Sequence, residues 1–282
     1  MSFARVIFLT SLAMIAFACN SLLCRVALKH TAIDAMTFST IRLASGAIML
    51  WLVSRLSSKT ADCRGNWPSA IALFVYAVGF SFAYISLPAS TGALLLFGAV
   101  QATMIGHGIW SGERLLKMQV VGIVLALGGL VGLFLPGLSA PPLLGSLLML
   151  SAGVAWGVYS LRGKGACEPI RVTAGNFIRA VPVAAILSLI LRNSASLDGP
   201  GLGYAITSGA VTSGLGYAIW YMALPSLRAT DAATVQLSVP VIAALGGIVF
   251  LGESLTMRLV FASIAILGGI ALVILGKQNH RV

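Results

Sequence analysis

Apolar residues in this chain come as long unbroken runs, each cut off by a cluster of charge, Pro or Gly. A helix that crosses a bilayer needs about 20 mostly apolar residues at a rise of about 1.5 Å each. Ten runs meet that length: 5–27, 34–55, 67–88, 92–111, 117–135, 142–161, 171–191, 201–224, 230–251 and 257–275. The connections are too short for a soluble domain. Inside lipid the backbone must satisfy its own hydrogen bonds, which leaves helices or a closed barrel. A barrel would show alternating segments of about ten residues, and these runs are not of that kind. The pattern predicts an all-α integral membrane protein of ten transmembrane helices.

Composition agrees. Of 282 residues, 59% are hydrophobic and 9% charged, and the mean hydropathy is +1.00. A soluble chain carries about 25% charged residues, so lipid must be the solvent for much of this surface. The net charge of +11 invites a nucleic-acid partner. The basic residues sit in short loops between apolar runs and form no continuous patch, so nucleic acid is excluded. Four cysteines, Cys19, Cys24, Cys63 and Cys167, show no CxxC spacing and predict neither a disulfide framework nor a zinc site. No cofactor is expected. Ala16-Phe17-Ala18-Cys19 looks faintly like a lipoprotein cleavage site. The run continues to about Ala27 and nine similar runs follow, so it reads as the first span.

Lys and Arg set the orientation. With a cytoplasmic N-terminus, the inside segments hold twelve: Arg5, Arg55, Lys59, Arg64, Arg114, Lys117, Arg162, Lys164, Arg171, Arg228, Lys277 and Arg281. The outside segments hold four: Arg25, Lys29, Arg192 and Arg258. The positive-inside rule then puts both termini in the cytoplasm of a cell whose inner membrane carries the protein.

The chain also repeats itself. Gly112-Glu113-Arg114-Leu115 recurs as Gly252-Glu253-Ser254-Leu255, and a Gly-Gly follows each at the same distance, Gly128-Gly129 and Gly268-Gly269. These matches share an offset of 140. Ile41-Arg42 recurs as Ile178-Arg179, and Tyr84 with Leu87-Pro88 as Tyr221 with Leu224-Pro225, at an offset of 137. Phe17, Asn20 and Ser21 fall on Trp156, Tyr159 and Ser160. Residues 1–137 and 138–282 thus form two repeats of five spans each. An odd number of spans forces the halves to cross the membrane in opposite directions. Inverted repeats can exchange conformations, and with them the side that is open.

These features resemble the drug/metabolite transporter superfamily in its ten-helix form with duplicated EamA-type repeats. The resemblance covers essentially the whole chain. It rests on the two Gly-Glu-x-Leu motifs, the two Gly-Gly pairs, Arg42 and Arg179, Trp156-Gly157 and Pro240. The first half departs from the pattern. Phe17-Ala18 stands where tryptophan-glycine is expected, and Val100-Gln101 replaces a mid-span proline, so any gating is expected to be asymmetric. The resemblance implies that spans one, three, four, six, eight and nine surround a central cavity, with five and ten peripheral. Members move amino acids, metabolites, nucleotide sugars or drugs. The chain looks most like bacterial exporters of amino acids, including aromatic ones.

Helical spacing selects the cavity candidates. Phe17 and Asn20 share a face of span one. Tyr76, Phe80 and Tyr84 share one in span three, and Phe97 and Gln101 one in span four. Trp156 and Tyr159 lie together in span six. Ser213, Tyr217, Trp220 and Tyr221 cluster in span eight, and Thr234 and Ser238 in span nine. Such a cavity would be aromatic, with a few neutral hydrogen-bonding groups, and suits an apolar or aromatic side chain with polar ends. The competing role for Tyr and Trp is an interfacial belt or plain packing.

Charges bound the coupling. Asp34, Glu113, Glu168, Asp231 and Glu253 fall at span ends, and Asp62 and Asp198 in loops, so no span carries the buried carboxylate usual in proton carriers. Proton antiport through a first-helix glutamate is disfavoured. His107, the single mid-span imidazole, reads as structural. Glu113 and Glu253 are expected to turn the chain without touching substrate. Arg42 and Arg179 lie about 12 Å into their spans by the helical rise. Two roles are open to them, a snorkelling anchor and a carboxylate site, and the anchor is favoured. Gly122, Gly132 and the two Gly-Gly pairs predict close packing of the peripheral helices.

The expected function is inner-membrane export of small amphipathic metabolites, apolar or aromatic amino acids above all, by alternating access. The alternatives are a drug or other metabolite carrier, a membrane enzyme, or a lipid scaffold. No HExxH, paired nucleophile or carboxylate cluster supports an enzyme. The partners expected are a small-molecule substrate and membrane lipid, with the protein a monomer or weak homodimer.

Overall fold

A computed structural model describes residues 3–56, 65–112, 116–135, 140–163, 168–191, 195–227 and 235–278. Among these residues the regular elements are all helices. They run α1 (Phe3–His30), α2 (Ala35–Leu56), α3 (Trp67–Tyr84), α4 (Ala89–Trp110), α5 (Lys117–Phe134), α6 (Leu143–Gly163) and α7 (Pro169–Ile190). Then follow α8 (Gly199–Thr207), a π-helical stretch π1 (Ser208–Leu215), α9 (Gly216–Ala223), α10 (Ser238–Leu251) and α11 (Met257–Gln278).

Among the described residues, α1 to α7 are each long and apolar enough to cross a membrane. Their outward faces carry large apolar side chains in the open. Phe8, Trp110, Val124 and Leu144 are all more than half exposed. Helices apolar on both their inner and outer faces belong in lipid. The expected boundaries of the first seven spans agree with the helices to within a few residues. α8, π1 and α9 follow one another as a single rod, with right-handed helical dihedrals at Thr207 and Gly216. α10 covers the second part of the run expected at 230–251, whose first residues, with Thr234 and Asp231, lie outside the described residues.

Local chemistry sets the ends. Asn66 accepts the Ser69 amide at 3.0 Å and Asp198 that of Gly201 at 3.2 Å, which caps α3 and α8. Gly112 (φ 87°) and Gly252 (φ 62°) terminate α4 and α10 in the left-handed region, where a Cβ would be strained. Pro240 sits in the first turn of α10, where no amide donor is needed.

Packing divides the bundle. α5 lies along α11 at the periphery, where a Cβ on Gly122 would come 2.5 Å from the Gly269 carbonyl oxygen and one on Gly129 2.7 Å from the Ala265 methyl. The expected role of the glycines is corrected here. Gly128, Gly132 and Gly268 face open space, because only one residue of each Gly-Gly pair can point at the partner helix. In the body, α3 and α4 pack on α6, α1 on α9 and α10, α2 on α7 and π1, and α4 on α10. Phe38, Phe80, Phe177, Met14 and Leu95 fill the space between them.

Candidate functional site

A partly open cavity lies between α1, α3, α4, α6 and the π1–α9 rod. Phe17, Asn20, Ser21, Tyr76, Phe80, Leu96, Phe97, Trp156, Thr212 and Tyr217 line it. Its rings touch one another. Trp156 lies 4.9 Å from Tyr76 and 5.0 Å from Tyr217, centroid to centroid, and Phe17 meets Tyr217 edge-on at 5.7 Å. Quadrupole complementarity favours tilted and edge-on pairs of this kind.

One polar cluster interrupts the rings. Asn20 Oδ1 accepts hydrogen bonds from the Ser208 hydroxyl at 2.7 Å and the Thr212 hydroxyl at 3.1 Å. Its Nδ2 donates to Tyr76 Oη at 3.5 Å. Tyr76 Oη also receives Arg42 Nη2 at 3.0 Å, and Arg42 Nε donates to Ser213 Oγ at 3.3 Å. Arg42 is 2% exposed. It does not snorkel to the surface. α3 and π1 wall off the route to the surface, and the guanidinium lies over the rings of Tyr76 (5.2 Å) and Phe80 (4.8 Å) instead.

A second, narrower cavity of about 250 Å³ lies nearer the Arg162 end, between the start of α3, the end of α6, the start of α7 and α9. Ser69, Tyr159, Arg162, Thr173, Asn176 and Tyr221 are among its walls. Trp156, in the wall of the central cavity, stacks on Tyr159, in the wall of the second, at 5.4 Å. At the opposite end, Glu253 accepts the Ala89 amide at 2.9 Å and faces Arg25 Nε at 3.6 Å. Arg25 Nη1 in turn donates to the carbonyls of Tyr84 and Ile85. One buried ion pair thus ties α1, the α3–α4 turn and the segment after α10 together.

Of the residues selected by spacing, Phe17, Asn20, Tyr76, Phe80, Phe97, Trp156 and Tyr217 come together around the central cavity. Tyr159 and Tyr221 line the second one. Trp220 packs edge-on to Phe17 at 6.2 Å. Gln101 is buried in α4 beyond Phe97. Tyr84 does not reach the cavity, because its ring is buried under the α3–α4 turn with its hydroxyl on the Ala89 carbonyl. Ser238 bonds back to the Val235 carbonyl at the start of α10, also away from it. Thr234 lies outside the described residues.

Ser213 gives way to Thr212 for a definite reason. Spacing of four along an α-helix put Ser213 with Tyr217. In a π-helix the turn is wider, and i→i+5 neighbours align, so Thr212 joins Tyr217 in the cavity while Ser213 turns to Arg42. Ser208, one α-turn before Thr212, also went unselected. A Gly-rich, weakly apolar stretch (Ser208-Gly209-Ala210-Val211-Thr212-Ser213-Gly214) was the available signal.

Among the described residues no group of three or more His, Cys, Asp or Glu could hold a metal. Asp34, Glu168 and Asp198 stand just before helices and Glu253 just after one. Asp62, Glu113 and Asp231 lie outside the described residues. Among the described residues the site is thus a bundle of apolar helices around an aromatic cavity with a few neutral hydrogen-bonding groups.

Comparison with known proteins agrees. The profile of the EamA-like transporter family matches residues 143–275. The chain is 58% identical over 271 residues to the uncharacterized protein PA1977 of Pseudomonas aeruginosa, covering 96% of this chain and 94% of that one. It is 22% identical over 253 residues to the uncharacterized transporter YoaV of Bacillus subtilis, covering 84% and 86%. Over 147 residues it is 35% identical to the threonine/homoserine exporter RhtA of Escherichia coli, about half of each chain. A protein of known crystal structure superposes with a TM-score of 0.69 over 97% of this chain and 98% of that one, at 19% identity, and so shares the fold. Residues 143–275 thus carry a domain of the EamA-like transporter family, and the chain is a multi-pass membrane protein.

Proposed function

We propose that the protein exports small amphipathic metabolites, amino acids with apolar or aromatic side chains foremost, across the bacterial inner membrane by alternating access. The observation that carries this reading is the central cavity. Its ring faces suit an apolar side chain or an ammonium group, and Asn20, Thr212 and Tyr76 offer hydrogen bonds to the polar end. RhtA, a threonine/homoserine exporter, is similar over about half its length.

The mechanism follows from reading the chain as ten spans in two inverted repeats, residues 1–137 and 138–282, with both termini cytoplasmic. On this reading α1 to α5 pair with α6, α7, the α8–π1–α9 rod, α10 and α11. The packing supports it. α3 lies on α6 as the rod lies on α1, α4 lies on α6 as α10 lies on α1, and the mates α2 with α7, α4 with α10 and α5 with α11 touch each other. The second cavity extends the path toward the Arg162 end, which this topology makes cytoplasmic. The Trp156–Tyr159 stack would part to admit substrate, and the Arg25–Glu253 tie would release it on the far side. The protein works as a monomer or weak homodimer in lipid, with no cofactor.

Purified protein in liposomes, loaded with labelled phenylalanine, threonine or leucine and diluted with and without a pH gradient, tests the reading. Efflux above that of empty liposomes is expected for at least one of them. Leakage no faster than empty liposomes for the whole set, from protein shown to be folded, counts against it. A C-terminal reporter that reads periplasmic would refute the topology.

A further inference from the structure

A guanidinium keeps its charge at any pH the protein meets, and burying it in a membrane protein costs about 2.5–3.5 kcal/mol even on the mildest scale. Buried arginines are therefore met by carboxylates or by carbonyls. Arg25 obeys the rule, with Glu253 and two backbone carbonyls around it. Arg179 folds back onto the Gly175 carbonyl of its own helix at 2.8 Å. Arg42 does neither. Its titratable neighbours are Tyr76, Tyr217 and Cys24, none of them a carboxylate. Two hydroxyls and two ring faces hold it, and its Nη1 is buried with no hydrogen-bond partner. Three of its four contacts, the Tyr76 hydroxyl and the rings of Tyr76 and Phe80, belong to walls of the central cavity.

The surroundings are built to hold this charge in place. Gly209 of π1 packs on the Arg42 carbonyl and the Ser45 hydroxyl so closely that a Cβ would collide with both. π-helical stretches are rare and recur at functional sites. Here the stretch brings Ser213 under the guanidinium and turns Thr212 to Asn20 in the adjoining wall.

We infer that Arg42 is the carboxylate-binding residue of the central cavity. A substrate carboxylate would take the Nη1 donor together with the Nη2 donor now on Tyr76, as a bidentate pair. The Tyr76 hydroxyl would remain with Asn20, and the substrate's side chain would lie among Phe17, Trp156 and Tyr217. The inference rests on the transport reading but goes beyond it: it makes the cavity selective for anionic or zwitterionic solutes. Arg179, its mate in the sequence repeat, binds no substrate.

The test uses full-length protein in detergent, with ligand-induced thermal shift as the readout. The probes are phenylalanine, phenylalaninamide, benzoate and benzamide. Benzoate and benzamide share shape and differ in charge and in one oxygen replaced by an amino group, and they require nothing of the transport reading. Wild type should bind phenylalanine and benzoate at least about tenfold more tightly than the matching amides. Arg42→Gln should bring each pair to parity while leaving amide binding unchanged. Arg42→Lys should recover part of the preference and Arg179→Gln all of it. If benzoate binds through Arg42 but no amino acid is bound or transported, the site stands and the amino-acid reading falls. If phenylalanine is transported but wild type binds acid and amide alike, or Arg42→Gln keeps the preference, the inference is overturned. The wild-type acid-to-amide ratio decides the matter even if Arg42→Gln fails to fold.

Discussion

The α2–π1 contact and its repeat mate, the α7–α3 contact, begin from similar sequence and end in different chemistry. Each helix carries an Ile-Arg pair, Ile41-Arg42 in α2 and Ile178-Arg179 in α7. Arg179 stays partly exposed and bonds its own helix, and α7 meets the start of α3 through Asn176, whose Oδ1 accepts the Asn66 amide at 2.8 Å. Arg42 is buried, and its guanidinium leaves its own helix for a tyrosine and a serine of two others. The difference lies in the facing element. α3 is a regular α-helix with Ala72 at the position that Gly209 holds in π1. Gly209 lets π1 sit directly on the α2 backbone. Two helices with matching Ile-Arg pairs thus meet their facing elements differently, and one arginine is buried where the other stays partly exposed.

Substitutions can break this comparison, and the largest effect is expected at its seat. Gly209→Val would drive a side chain into the Arg42 carbonyl and Ser45. Overpacking against backbone should cost at least about 3 kcal/mol, seen as a large drop in melting temperature or loss of folded protein. Ala72→Val, its repeat mate, should shift the melting point by less than a third as much. Equal effects would remove the distinction between the two contacts.

Next come the arginines themselves. Arg42→Gln should slow amino-acid efflux at least about tenfold, which corresponds to about 1.4 kcal/mol, while Arg179→Gln should leave the rate within about twofold of wild type. Parallel losses in both would point to a shared structural role. A smaller effect tests the π register. Thr212→Val removes a neutral interhelical bond to Asn20, worth about 0.6 kcal/mol, and should weaken phenylalanine and phenylalaninamide binding alike, by about threefold. Ser213→Ala touches the guanidinium instead and should weaken the acid alone. Reversed behaviour would mean that α-helical spacing, with Ser213 in the cavity, is correct after all.

How far the sequence could be read follows from these same residues. The first seven spans, their boundaries and the glycines that end α4 and α10 were legible because length, hydropathy and the need for a left-handed residue are local properties. The ring residues of the cavity were legible because α3 and α6 are regular helices, in which a spacing of three or four names a face. The reading slipped at π1, where a wider turn shifts every later face by part of a turn and exchanges Ser213 for Thr212. It slipped at Tyr84 as well, since a tyrosine on the cavity face but at the last turn of α3 finds the following turn before it finds the cavity. Arg42 was the hardest case. Depth along a helix predicts the cost of a charge, but whether it snorkels depends on which neighbour stands in the way.

The smallest effect concerns the loops. Asp34 Oδ1 accepts the amides of Met36 and Thr37 at 2.9 Å each, and Oδ2 that of Ser196 at 2.9 Å, so that this carboxylate joins the α1–α2 and α7–α8 connections. Burial alone would raise its pKa, but hydrogen bonds from Thr37, Ser196 and Met36 outweigh burial and hold it below the ordinary carboxylate value. A depressed folded pKa means stability that is present above the unfolded value of about 3.9 and lost as pH falls through the lower folded value. Hydrogen exchange at the Ser196 amide should therefore stay slow, after correction for intrinsic rates, down to about pH 4 and lose protection below it. Asp34→Asn should abolish that pH dependence. A wild-type amide whose protection does not change over this range would show that the latch does not depend on the charge.

The central claim is that the aromatic cavity is the path of the substrate. It is tested most directly by efflux of labelled phenylalanine from proteoliposomes carrying wild type or Trp156→Ala, with folding of both checked by melting temperature. Trp156 lines the central cavity, touches Tyr76 and Tyr217 there, and stacks on Tyr159, which lines the second cavity. The account predicts efflux by wild type and at least a tenfold slower rate in the variant, with its fold intact. Efflux at the wild-type rate from folded Trp156→Ala would contradict it.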